Sequence, residues 1–121
     1  MSVCIAAAGK TLMLAASLFT LSWEHSVEKI AWQEDWLATP AGLHALQARV
    51  KGSGAGMDPP EGSVLHDGWW RWKPSIPPLP RLVLAASGAT ASGWTVCAEG
   101  RCVEVGADAA EPVVIEPCRK P

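Results

Sequence analysis

A chain of 121 residues can hold one ordinary domain and is too short for two. Its 49% apolar and 18% charged residues exclude a disordered chain and are enough for a real core. The formal charge of -2, with no basic run longer than Arg119-Lys120, argues against a nucleic-acid partner, because phosphate binding needs a concentrated cationic face.

At the start, Val3-Cys4-Ile5-Ala6-Ala7 reads as a strand, Ala8-Gly9-Lys10 as a turn and Thr11-Leu12-Met13-Leu14-Ala15 as the returning strand. This hairpin competes with a leader or a membrane span. The first nine residues lack a basic side chain, and Gly9-Lys10 interrupts the apolar run, so neither a signal peptide nor a transmembrane segment is expected.

Thr20 to Ala38 forms one long strand region. Leu21, Trp23, His25 and Val27 alternate with Thr20, Ser22, Glu24, Ser26 and Glu28, giving one apolar face that contains a single His. From Ile30 the parity flips, with Ile30, Trp32, Trp36 and Ala38 now the apolar set. A one-residue slip is what a β-bulge produces, so a bulge or sharp bend is expected at Val27 to Lys29. Leu46, Ala48 and Val50 then alternate with Gln47, Arg49 and Lys51 as a further strand, hairpin-connected through Pro40-Ala41-Gly42.

Gly52-Ser53-Gly54-Ala55-Gly56-Met57 predicts a tight loop with positive φ angles. Trp69-Trp70-Arg71-Trp72 reads as a strand with Trp70 and Trp72 on one face, followed by an extended Pro74–Pro80 linker. Cys97 and Cys102 flank Glu99-Gly100 at a hairpin turn, which sets them opposite one another. A disulfide there closes a small loop, is worth about 2 kcal/mol and implies an oxidising compartment; two free thiols stay open as the alternative. Cys4 and Cys118 have no evident role. Frequent turns between short segments rich in Val, Leu, Ile, Thr and Trp predict an all-β fold. The expected form is a single small antiparallel sandwich or partly open barrel with little or no helix, its core over about 3–105 and a tail over about 106–121.

The candidate binding residues are Trp23, His25, Glu28, Glu34, Ser53, Gly54, Gly56 and Trp70. His25 stands inward beside the expected bend, where burial would lower its pKa and a neighbouring Glu would raise it. Glu34 lies between Trp32 and Trp36 on the inward face and so needs a partner such as Arg49, Arg71 or Lys29. Ser53, Gly54 and Gly56 could turn backbone N–H groups toward an anion, although the loop lacks the Lys-Ser/Thr ending of a phosphate loop. Trp70 beside Arg71 could stack on a planar or sugar ligand. Ser26 cannot converge with His25, because adjacent strand residues face opposite ways. No Cys-x-x-Cys spacing points to a metal, and no cofactor is expected.

The run Ser22-Trp23-Glu24-His25-Ser26-Val27-Glu28, then Glu34-Asp35-Trp36, then Gly52-Ser53-Gly54-Ala55-Gly56-Met57, then Cys97 with Gly100-Arg101-Cys102, resembles the bacterial domain of unknown function 1850. The resemblance runs from about Val3 to about Val105. It implies small proteins, often exported to the periplasm or cell envelope and commonly encoded beside tripartite, receptor-dependent solute transporters; it implies no established activity. The expectation is a non-enzymatic accessory or binding module that contacts a transporter subunit, its solute receptor or the solute. The alternatives are a hydrolase-type enzyme using His25 with Glu28 or Glu34, and a purely structural β domain filled by Trp.

Overall fold

The computed structural model describes residues 1–24, 30–52, 60–86, 88 and 93–119. Eleven strands appear among them: β1 (Ser2–Ala7), β2 (Lys10–Leu14), β3 (Leu18–Glu24), β4 (Ala31–Thr39), β5 (Gly42–Lys51), β6 (Val64–His66), β7 (Trp69–Trp72), β8 (Leu82–Leu84), β9 (Trp94–Ala98), β10 (Arg101–Val105) and β11 (Val113–Cys118). They build a four-stranded sheet, β2-β1-β11-β8, and a seven-stranded sheet, β10-β9-β3-β4-β5-β7-β6, both antiparallel throughout. The sheets face each other as a sandwich and do not close into a barrel. Among the described residues no helix is long and apolar enough to cross a membrane.

The core lies between the sheets. Val3, Ile5, Val113 and Ile115 of the small sheet meet Phe19, Leu21, Trp36, Ala38, Leu43 and Val96 of the large one, all buried. Alternation dictates this arrangement. A strand with one buried face must place its apolar residues two apart, and β1 does so with Val3 and Ile5. The opening hairpin forms as its sequence predicts, with Val3 opposite Leu14 and Ala7 opposite Lys10.

The expected long strand is two strands of a hairpin. The chain reverses between Glu24 and Ala31, so that Trp23 pairs with Trp32, Leu21 with Glu34 and Phe19 with Trp36. Odd positions of β3 therefore face even positions of β4. Antiparallel pairing alone accounts for the parity flip that suggested a bulge. The proposed bulge at Val27 to Lys29 lies outside the described residues.

A bulge does occur further on. Asp35 pairs with Gln47 and Trp36 with Ala45, leaving Leu46 as the extra residue in β5. Simple alternation groups Leu46 with Ala48 and Val50. The bulge instead exposes Leu46 at 39% while Ala48 and Val50 stay buried.

Two further expectations are corrected. Residues after about 106 are not simply a tail: β11 is an interior strand of the small sheet, paired with β1 on one side and β8 on the other, and its Val113 and Ile115 are buried. The proline-rich stretch is tied to the large sheet, because Leu43 N–H donates to the Leu79 carbonyl at 2.7 Å and Leu79 N–H donates back at 2.9 Å. Gly42 makes this approach possible. Its φ is +129°, and a Cβ there would stand 2.5 Å from the Leu79 oxygen.

All four cysteines are paired. Cys97 and Cys102 sit directly opposite one another in the β9–β10 hairpin and form a disulfide, as their spacing around Glu99-Gly100 allows. Cys4 and Cys118, unassigned by sequence, bridge β1 to β11 across a separation of 114 residues.

The chain-entropy model ranks the two bonds by loop size. Replacing Cys4 and Cys118 by Ala should lower the unfolding free energy by about 5 kcal/mol, and replacing Cys97 and Cys102 by about 2 kcal/mol. Urea unfolding of both variants measures this, and alkylation of the native protein should leave its mass unchanged.

Candidate functional site

The inner face of the large sheet carries the site. Cross-strand register places residues from five strands in one transverse row. Trp23 of β3 pairs with Trp32 of β4, Trp32 with Val50 of β5, Val50 with Trp70 of β7, and Trp70 with Leu65 of β6. Trp94 of β9 extends the row beside Trp23. In the next row Leu21 pairs with Glu34, Glu34 with Ala48 and Ala48 with Trp72.

The indoles pack on each other. Trp23 and Trp32 stack with centroids 5.8 Å apart and planes 9° from parallel. Trp94 lies 5.1 Å from Trp23 at a 50° tilt, and Trp72 meets Trp32 edge-on at 6.2 Å. Such pairs add about 1 kcal/mol each beyond the area they bury. Ala48 and Val50 are small enough to lie under this layer and are buried there, although neither belongs to the core cluster between the sheets.

Two indole N–H groups in the layer are shut off from solvent without an acceptor among the described residues, those of Trp32 and Trp70. Leaving a buried donor unsatisfied costs about 1–3 kcal/mol. The others that can be traced are satisfied: Trp94 Nε1 donates to the Ala85 carbonyl at 2.9 Å and Trp36 Nε1 to Glu34 Oε1 at 3.1 Å.

Glu34 occupies the inward position expected for it, and of its three expected partners Lys29 lies outside the described residues. Neither Arg49 nor Arg71 reaches it; among the described residues the Trp36 indole does. Burial pushes the Glu34 carboxyl above the usual carboxylate range, and the Trp36 hydrogen bond offsets part of that rise. Arg49 faces the other side of the sheet because the bulge at Leu46 resets the parity of β5. There its Nη1 lies 2.8 Å from Asp35 Oδ2, its Nη2 3.2 Å from Oδ1 and its Nε 2.7 Å from Gln33 Oε1. Thr20 Oγ1 also donates to Asp35 Oδ1 at 2.8 Å. Burial raises the Asp35 carboxyl, but the bonds from Arg49 and Thr20 and the charges of Arg49 and Arg71 outweigh it, so its pKa falls below the ordinary value.

Three of the candidate binding residues can therefore be placed. Trp23 and Trp70 share the transverse row, and Glu34 lies in the adjacent row on the same face. His25, Glu28, Ser53, Gly54 and Gly56 lie outside the described residues. Their flanks are fixed: Glu24 pairs with Ala31, and Lys51 pairs with Trp69, at the end of the sheet where the indole row runs. A shallow hollow of about 230 Å³ opens at that end between Trp23, Glu24, Trp32, Gln33, Gly93 and Thr95. Sequence reasoning missed Trp32, Trp72 and Trp94 as members of the site. Strand parity puts Trp32 on the inward face, but only pairing of non-adjacent strands brings Trp94 and Trp72 to it. Among the described residues no group of three or more His, Cys, Asp or Glu is arranged to hold a metal ion.

The raised Glu34 pKa has a consequence for stability. A carboxyl whose folded pKa exceeds its unfolded value of 4.5 stabilises the fold fully below that value, and the contribution is lost as pH rises through the folded pKa. Glu34→Gln should remove this decline and leave the variant more stable than the parent at neutral pH, relative to their order at acid pH. Urea midpoints measured across the acid-to-neutral range check it.

A model of the family described as domain of unknown function DUF1850 matches residues 19–105. The match takes in nearly all of the large sheet together with β8, and leaves β1, β2 and β11 outside it. No curated protein and no solved structure matches the chain. With a match over well more than half its length, carried by the sheet that holds the indole row, the chain belongs to the DUF1850 family.

Proposed function

We propose that this chain is a non-enzymatic binding module whose contact surface is the tryptophan-rich end of the large sheet, and that its partner is a subunit of a receptor-dependent solute transporter or the solute receptor itself. The observation that carries the reading is the gathering of Trp94, Trp23, Trp32, Trp70 and Trp72 on one face at one end. Trp is enriched where proteins bind one another, since it offers a large rigid apolar surface with one polar handle at low entropic cost. The transporter as partner follows from what the family resemblance implies. Two disulfides suit the oxidising compartment in which such receptors work.

A catalytic reading has one observation in its favour, the raised pKa of Glu34, since a general acid needs such a shift. Its Oε1 accepts the Trp36 indole N–H, which supports reading the carboxyl as a brace for the inward face.

The test is capture of the receptor and of the transporter's membrane subunits by the immobilised chain. Wild type should retain one of them, and Trp70→Ala, His25→Ala and Glu28→Ala should each weaken retention, with Trp70→Ala costing about 2 kcal/mol as an interface anchor. Retention unchanged in folded variants would remove the site, and retention of neither partner would remove the transporter role.

A further inference from the structure

The basic residues that look scattered in sequence are gathered by strand pairing on the outer face of the large sheet. Arg49 of β5 stands directly opposite Arg71 of β7, and Lys51 stands opposite Trp69, with its Nζ 5.5 Å from the ring centroid. Lys73, exposed, follows β7 immediately. Like charges placed directly opposite on neighbouring strands repel. Among the described residues, Asp35 is the carboxylate bonded within this group, and both its oxygens are taken by Arg49, with Thr20 sharing one. Gln47 Oε1 is divided between Arg49 at 3.2 Å and Arg71 at 3.3 Å. Asp67, at the β6–β7 turn, lies 3.1 Å from His66. Among the described residues the patch is thus cationic, on a chain whose formal charge is -2.

We propose that this outer face, centred on Arg71 and Lys51, is a docking surface for a short acidic segment of a partner protein. It is distinct from the indole row, which lies on the opposite face, and it stands whether or not that row binds anything. Arg71 offers a planar fork of donors, the geometry that suits a carboxylate. The cationic area is small. Arg49 and Arg71 are on adjacent strands, and Arg49 and Lys51 are one same-face step apart, about 7 Å along β5. Beyond it, on the same face, the sheet turns acidic, with Glu24 at the end of β3 and Glu104 on β10 opposite Thr95. A nucleic-acid strand running past the patch would meet those carboxylates, whereas a few acidic side chains would fit within it. Val64 of β6, opposite Arg71 and 63% exposed, adds an apolar contact beside the charges, as a peptide would use.

The experiment is fluorescence anisotropy of a fluorescein-labelled oligoglutamate peptide titrated with the full chain at low ionic strength, with duplex DNA and phosphatidylglycerol vesicles as competitors. Saturable binding is expected, weakening as salt is added. Arg71→Gln with Lys51→Gln should weaken it about tenfold, and Arg71→Glu with Lys51→Glu should abolish it, while Trp70→Ala leaves it unchanged. Far-UV circular dichroism and the thermal midpoint establish that each variant is folded. The proposal is overturned by no saturable binding to wild type, by equal affinity in the folded charge variants, or by DNA or vesicles binding more tightly than the peptide.

Discussion

The extra residue at Leu46 is the constraint on which the two faces of the large sheet depend. Before it, Leu43 and Ala45 of β5 point toward the sandwich core. After it, Ala48 and Val50 take over the inward positions, and Arg49 and Lys51 are turned outward. Without the slip, the residues of the second half of β5 would exchange faces. The charges would then lie under the indoles, where an unpaired cation is costly, and the small residues would lie outside. One inserted residue therefore sets both the floor of the tryptophan layer and the position of the Arg49–Asp35 pair.

That pair and Glu34 show how neighbours in sequence acquire opposite chemistry. Asp35 faces out to a guanidinium and a hydroxyl, and its pKa falls. Glu34 faces in toward indoles, and its pKa rises. Both are acidic residues one position apart on a single strand. The sign of each shift is set by which side of the sheet the side chain reaches.

Much of the fold is legible in the sequence because its signals are local. The β1–β2 hairpin is marked by Gly9-Lys10 between two apolar runs, and the β9–β10 hairpin by Glu99-Gly100, which also brings Cys97 to Cys102. What could not be read depends on partners distant in the chain. Cys4 meets Cys118 only because β11 enters beside β1, and no pattern near either residue announces it. The same holds for the site. Trp23, Glu34 and Trp70 are recognisable as inward residues from alternation, but the register that aligns them with Trp94 and Trp72 joins five strands across long separations. The parity flip after Glu28 was ambiguous for a physical reason: a bulge in one strand and a reversal into the next strand leave the same trace in a one-dimensional pattern. Of the cations expected to reach Glu34, Arg49 pairs across from Arg71 on the outer face, while Lys29 lies outside the described residues.

The placement of β11 between β1 and β8 also bears on how the chain reaches this structure. The large sheet is assembled mostly from hairpins between consecutive strands, so much of it can zip up from near neighbours. The small sheet cannot. Its first hairpin is made early in synthesis, yet Val3 and Ile5 gain their β11 partners only when residues 113–118 have been made. Closing so long a loop is entropically slow, and during the wait an apolar strand edge stands unpaired. β11 is thus the element of the small sheet that is made last and must travel furthest along the chain to its partner, and the Cys4–Cys118 bond ties it covalently to β1 once the two strands are paired.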